Sequence, residues 1–251
     1  MKNFFEFSRY LFIFAHPDDE VYTCAFIQKL VEQKKRVDVI YVTSGDYQSP
    51  ATGKIREAEV REAMRILTVP DGSITFMRVP ERQLMGKVNE VCVNILARTA
   101  ELPPDCVISH DFEGGHNGHD AVGFCASYVA EKIHSSLYVF PAYYAWPEKR
   151  LWNQFVPPRE ATDTLILSSE MKILQKRVIS AHASQKGYFD AIKQSGSNNL
   201  FSKREVLRLV EQPINYLEPP TTPVGYEYPG SNLRFKDFRI AITSALEKLG
   251  R

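Results

Sequence analysis

Four ionisable side chains crowd five positions near the start of the chain, in Ala15-His16-Pro17-Asp18-Asp19-Glu20. One imidazole and three carboxylates are costly to place together unless a cation joins them. A turn that sets a carboxylate at the start of the next helix accounts for Asp19 or Glu20 alone. It does not account for His16, or for both aspartates together. A second cluster runs His110-Asp111-Phe112-Glu113-Gly114-Gly115-His116-Asn117-Gly118-His119-Asp120 and holds three of the six histidines. Its glycines permit a tight, irregular backbone, and a His-x-x-His pair converges on one point if the segment makes a helical turn. Together the clusters offer imidazole, carboxylate and imidazole. Three protein ligands with an open fourth position suit a catalytic Zn²⁺. Two imidazoles favour zinc, or another divalent transition metal, over Mg²⁺ or Ca²⁺.

Both clusters need elements that bring them to one place. Residues 10–15 are apolar and β-prone, and residues 36–43 (R-V-D-V-I-Y-V-T) repeat the pattern. Between them, residues 21–35 read as a helix whose last turn meets the basic run Lys34-Lys35-Arg36, a charge that suits the dipole. Apolar residues at helical spacing mark 54–67, followed by a strand at 74–79, a helix at 88–100 and a strand at 106–109. A helix at 121–134 and a strand at 136–140 complete the alternation. Such alternation predicts an α/β fold with a mostly parallel central sheet and helices on both faces. Each cluster follows a predicted strand, the edge at which such sheets bind ligands.

The second half is less regular, most of all from about residue 185. Residues 163–167 read as a strand, 170–181 as a helix, Asn198-Asn199 as a loop and 233–249 as a closing helix. Residues 212–232 hold five of the 15 prolines with Tyr216, Tyr226 and Tyr228. This stretch is either a long extended surface crossing or a loop that walls a binding cleft. No repeat and no linker divides the chain, so residues 1–251 are read as a single domain.

Composition narrows the function classes. Across 251 residues, 31 Lys and Arg oppose 30 Asp and Glu, a net charge of +1. That balance argues against nucleic-acid and anionic-membrane partners. The four cysteines form no C-x-x-C pair, which argues against a zinc ribbon. Cys92, Cys106 and Cys125 sit among apolar neighbours as small hydrophobes, in keeping with a reducing compartment. No apolar run reaches the roughly 18–20 residues of a membrane span, so no transmembrane segment is expected. Glu6 and Arg9 interrupt the apolar N-terminus, which reads as a strand rather than a signal peptide. The expected location is cytoplasmic. The first strand lacks a following Gly-x-Gly-x-x-G, and Ser44 and Ser184 lack a Gly-x-Ser-x-Gly context.

With these residues in view, the chain resembles the LmbE-like or PIG-L family of zinc-dependent de-N-acetylases. The resemblance rests on Ala15–Glu20 and on His116 and His119 with Asp120. Arg56-x-x-Glu59 and Ala181-His182-Ala183-Ser184-Gln185 add to it, and order and spacing agree over about residues 10–185. The resemblance implies a Rossmann-like three-layer fold and hydrolysis of an acetamido group on an amino sugar or its conjugate. It implies His16, Asp19 and His119 as metal ligands and Asp18 as general base. His116 would stabilise the oxyanion or protonate the leaving amine, and Arg56 would bind substrate. The sequence departs from the family pattern at Cys24-Ala25, Asn117-Gly118 and Leu67-Thr68. These departures change the loops around the centre rather than the centre, and so bear on substrate preference.

Other residues carry two readings each. Asp46 bonds sugar hydroxyls or holds the turn Ser44-Gly45-Asp46. Glu20 serves the dipole of the helix it opens, or supports the ligands. His110 is read as a strand-end polar residue, Glu113 as a residue that orients a ligand histidine, and His182 as a helix-end residue at the site edge. The expected partner is a small N-acetylated sugar or glycoconjugate, with a homo-oligomer allowed. The alternatives are an amidohydrolase acting on another small N-acyl or thiol conjugate, and a non-catalytic sugar-binding relative.

Overall fold

The computed structural model describes residues 3–47, 49–146, 149–194 and 203–250. The loop predicted at Asn198-Asn199 lies outside the described residues. The strands are β1 (Arg9–Phe14), β2 (Arg36–Thr43), β3 (Ile74–Val79), β4 (Cys106–His110), β5 (Ser136–Phe140), β6 (Tyr143–Trp146), β7 (Lys149–Trp152), β8 (Asp163–Ile166) and β9 (Arg204–Leu209). The helices are α1 (Cys24–Glu32), α2 (Pro50–Ile66), α3 (Val88–Thr99), α4 (Asn117–Lys132), α5 (Ser169–Ala181), α6 (Lys186–Gln194) and α7 (Phe235–Lys248).

Seven strands form one sheet in the order β3-β2-β1-β4-β5-β9-β8. The five from β3 to β5 are parallel, and β9 and β8 add an antiparallel edge. β6 and β7 make a separate antiparallel hairpin. The alternation of side chains along β1 explains the layers. Tyr10, Phe12 and Phe14 point into one core with residues of α1, α2, α5 and α6. Leu11, Ile13 and Ala15 point into the other, with α3, α4 and α7. Each fully buried side chain of the Phe12 kind stabilises the fold by about 1.5–3 kcal/mol. Both sheet faces are thus covered, as continuous apolar runs such as that of β1 require.

The strand order reverses at β1. Its neighbour on one side is β2 and on the other β4, with Tyr10 beside Cys106 and Phe12 beside Ile108. The loops that leave β1 and β4 therefore meet over a topological switch point, where open α/β sheets bind ligands.

Several local features differ from the sequence expectation. The helix expected over 21–35 is a 3-10 turn at Asp19–Tyr22 followed by α1. Lys34 takes φ +57° just past the helix end, the left-handed position that terminates a helix. α4 begins four residues earlier than expected, at Asn117, because the His116 side chain caps it. The β6–β7 hairpin, α6 and β9 were not anticipated. Among the described residues, no helix is long and apolar enough to cross a membrane.

Candidate metal centre

His16 leaves the end of β1 and His119 lies in the first turn of α4. Their facing nitrogens, His16 Nδ1 and His119 Nε2, lie 3.1 Å apart. Asp19 completes the triangle: its Oδ1 is 3.3 Å from His119 Nε2 and its Oδ2 is 3.5 Å from His16 Nδ1. Metal–ligand bonds of about 2.0–2.1 Å in a tetrahedron put ligand atoms about 3.3 Å apart. The triangle has that size. Asp19 is held there by the backbone N–H of His16, which donates to Oδ2 at 2.6 Å.

Two other groupings share His119. His16, His116 and His119 bring ligand atoms within 4.8 Å of one another, as do Asp19, His110 and His119. The second is disfavoured because His110 Nε2 accepts the N–H of Ala15 at 3.1 Å, which occupies its lone pair. His110 instead lies flat under His119, with ring centroids 4.1 Å apart and planes 11° from parallel.

The charges around the triangle call for a cation. Asp18, Asp19 and Glu81 line one small cavity with Arg56. Burial works against a charged His16, but Glu81 and Asp19 outweigh it and raise its pKa to about 10. His119 is driven the other way, to about 3, by burial and by the neighbouring His110 and His16. A metal would take the place of the proton that these carboxylates draw onto His16, and His119 stays neutral, as a metal-ligating ring must. Glu81 Oε1 lies 2.8 Å from His16 Nε2, on the side away from His119. A carboxylate behind a ligand histidine fixes ring orientation. Glu81 is in turn positioned by Asp46, whose carboxylate accepts the Glu81 N–H at 2.9 Å. Asp46 itself is absent from the cavity wall, and its carboxylate reaches Glu81 rather than the turn Ser44-Gly45-Asp46.

Asp18 faces the same cavity with backbone φ +148°. Conformations of this kind cost about 1–3 kcal/mol in a non-glycine residue and concentrate at functional sites. Burial lifts its carboxyl to about 6, against the pull of Arg56. Arg56 is buried and committed: it meets Asp18 Oδ1 at 2.9 Å, donates to Pro17 O at 2.7 and 3.1 Å, and to Gly45 O at 3.3 Å. Gly45, at φ +61°, must be glycine here, since a Cβ would lie 2.6 Å from the guanidinium.

His116 Nδ1 accepts the N–H of Gly118 at 3.1 Å as the cap of α4. Burial, with His16 and His119 nearby, holds its pKa well below the usual value. A neutral ring whose Nδ1 accepts must carry its proton on Nε2. The neutral His116 ring is therefore a hydrogen-bond donor through Nε2–H.

The loop after β4 is built to present these residues. Asp120 Oδ1 accepts from Glu113 and Gly114 N–H, both at 3.2 Å. Glu113 does not touch a ligand histidine. Its Oε1 accepts from Ala142 and Tyr143 N–H at 3.0 and 2.9 Å, which docks the hairpin on the site. A Cβ on Gly115 would lie 1.6 Å from Tyr143 O, so only glycine allows that approach. Behind the β1 loop, Glu20 accepts from Tyr41 at 2.9 Å and meets His182 Nε2 at 2.5 Å. Both are fully buried, which places them in support of the loop rather than at the cavity surface.

The cavity measures about 150 Å³. It includes Tyr22, Tyr143, Gln185, Tyr188 and Phe189, none of which was singled out as a site residue from the sequence. A larger apolar cavity of about 660 Å³ lies between α4, α7 and residues 209–217. It opens by the start of β5, away from the switch point; residues 212–217 of the Pro/Tyr-rich stretch line it, but none of the predicted catalytic or metal-binding residues does.

An α/β sheet with a histidine–carboxylate centre at its switch point defines a class of small-molecule enzymes rather than one reaction. Residues 11–130 match the PIG-L family, described as GlcNAc-PI de-N-acetylase. No curated protein matches the chain. Among solved structures, the A40926 pseudoaglycone deacetylase Dbv21 superposes with a TM-score of 0.64 at 16% identity, over 84% of this chain and all of that one. The zinc-inhibited form of teicoplanin deacetylase Orf2 gives 0.60 at 16% identity, over 82% and 100%. The hydratase GalB of Pseudomonas putida KT2440, which acts on 4-carboxy-2-hydroxymuconate, gives 0.53 at 16% identity, over 82% and 98%. The shared fold is that of LmbE-like deacetylases, and it also carries a hydratase.

Proposed function

We propose that this chain is a metal-dependent hydrolase that removes the N-acetyl group from an amino sugar or its conjugate. The observation that carries the proposal is the triangle of His16, Asp19 and His119 donor atoms, 3.1–3.5 Å apart, inside the segment that matches the PIG-L family. These three residues would hold a divalent transition metal, with zinc the first candidate from the two imidazoles and one carboxylate. When bound, such a metal polarises a carbonyl and lowers the pKa of water.

The chain's own groups supply the rest. Asp18 is the general base: it faces the cavity beside the ligand Asp19, and a carboxyl near 6 accepts a proton readily at neutral pH. Arg56 holds that carboxylate in place and limits its rise in pKa. His116 Nε2–H donates to the oxygen that gains charge as the acetamide carbon becomes tetrahedral. Donors of this kind contribute about 3–4 kcal/mol elsewhere. Glu81 and His110 set the rings of His16 and His119.

Acetate release from a panel of N-acetylated hexosamines, sugar nucleotides and glycoconjugates tests the reading. Release from at least one member is expected. Bound metal with no release from any member would favour a non-catalytic sugar-binding protein instead.

A further inference from the structure

The 150 Å³ cavity over the metal-facing histidines is small beside ordinary ligand pockets of about 300–1,000 Å³. It has room for the acyl group and the bond to be broken, so the rest of a sugar must project past its mouth. A chain of aromatic rings, in edge-on and tilted contact, runs from the histidines to Tyr188. Tyr143 lies 5.3 Å from the His119 ring and 6.4 Å from that of His116. Trp152 packs on Tyr143 at 5.1 Å, and Tyr188 meets Trp152 at 6.3 Å. Trp152 is 8% exposed and Phe189, beside Tyr188, 4%, whereas Tyr188 is 38% exposed. Of the two wall residues on α6, Tyr188 alone combines a place on the cavity wall with substantial exposure, and a hydrogen bond with Tyr22 steadies its side chain. An aromatic ring with one wet side suits a partner that is apolar on one face and polar at its edge.

We propose that Tyr188 is a specificity-determining residue, which stacks on the C–H face of a closed sugar ring and thereby selects cyclic amino sugars over open-chain N-acetyl amines. This inference rests on the deacetylase reading and extends it to the non-reacting part of the substrate. Tyr188 lies outside residues 11–130. The choice of ring substrate is thus made by a part of the chain separate from the metal ligands.

The test compares N-acetylglucosamine with its open-chain alditol on the metal-loaded wild type, Tyr188→Ala and Tyr188→Trp. Tyr188→Ala is expected to raise KM for the ring substrate about tenfold, with kcat within about twofold, an effect in the range of aromatic stacking. The ring-to-alditol ratio of kcat/KM should fall by the same factor, and Tyr188→Trp should keep it. An unchanged ratio in Tyr188→Ala overturns the proposal while leaving deacetylation intact. If the wild type releases no acetate, the deacetylase reading fails, and calorimetric binding of N-acetylglucosamine decides the role of Tyr188. Binding about tenfold weaker in Tyr188→Ala then supports it, and equal binding, or none to the wild type, overturns it.

Discussion

Asp18 takes a backbone conformation that only a firmly held loop can impose on a non-glycine residue, and Arg56 does much of the holding. Asp18→Asn keeps the shape and removes the base. Turnover should fall at least about a hundredfold, with metal content by elemental analysis unchanged; equal turnover would reject the base assignment. Arg56 was expected to bind substrate, yet four of its five N–H donors are engaged with Pro17, Gly45 and Asp18. Arg56→Met should therefore lower kcat at least about tenfold with KM within about threefold. A large rise in KM at unchanged kcat would return Arg56 to substrate binding. The residues of the triangle were legible because His16 and Asp19 lie three positions apart in one short motif and His119 follows His116 at helical spacing. Glu81 was not, since it meets His16 across 65 positions with no local pattern to mark it. His110 was visible as a residue, but its stacking on His119 depends on where α4 starts.

At the scale of elements, the parallel sheet was readable because its strands are apolar on both faces. β2, β3 and β5 fall on the expected spans, and β1 and β4 within one residue of them. The missed elements have weaker local signals. β6 and β7 are four residues each, α6 contains Gly187, and β9 is exposed enough at its end to carry arginines. β9 nonetheless has a distant task. Glu205, fully buried on it, accepts the N–H groups of Ala25 and Phe26 at 3.0 Å and so caps α1 from 180 positions away. Burial raises its carboxyl from 4.5 to about 7, against those hydrogen bonds. A raised folded-state pKa favours the protonated form. Its stabilisation is full below pH 4.5 and is lost as pH rises through about 7. Glu205→Gln, neutral at every pH, should melt above the wild type at pH 8, and the gap should close towards pH 4.5. A gap that widens on acidification would contradict this.

Over the whole molecule, two parts of the chain meet at one site. Residues 11–130 carry the side chains proposed as metal ligands, the proposed base and the loops that hold them. The second half contributes Tyr143, Gln185, Tyr188 and Phe189 to the cavity wall. The near-neutral charge of +1 conceals this arrangement, because the acidic and imidazole groups are gathered in one place. A centre in which buried carboxylates outnumber the fixed cation should depend on an added metal for activity. The most direct measurement is acetate release from an N-acetylated amino sugar by chelated, dialysed protein, before and after divalent metals, zinc among them, are added back one at a time. Release should be abolished by the chelator and restored by about one metal ion per chain, with His119→Ala failing to recover. Release that persists in full without metal would contradict the dependence on metal.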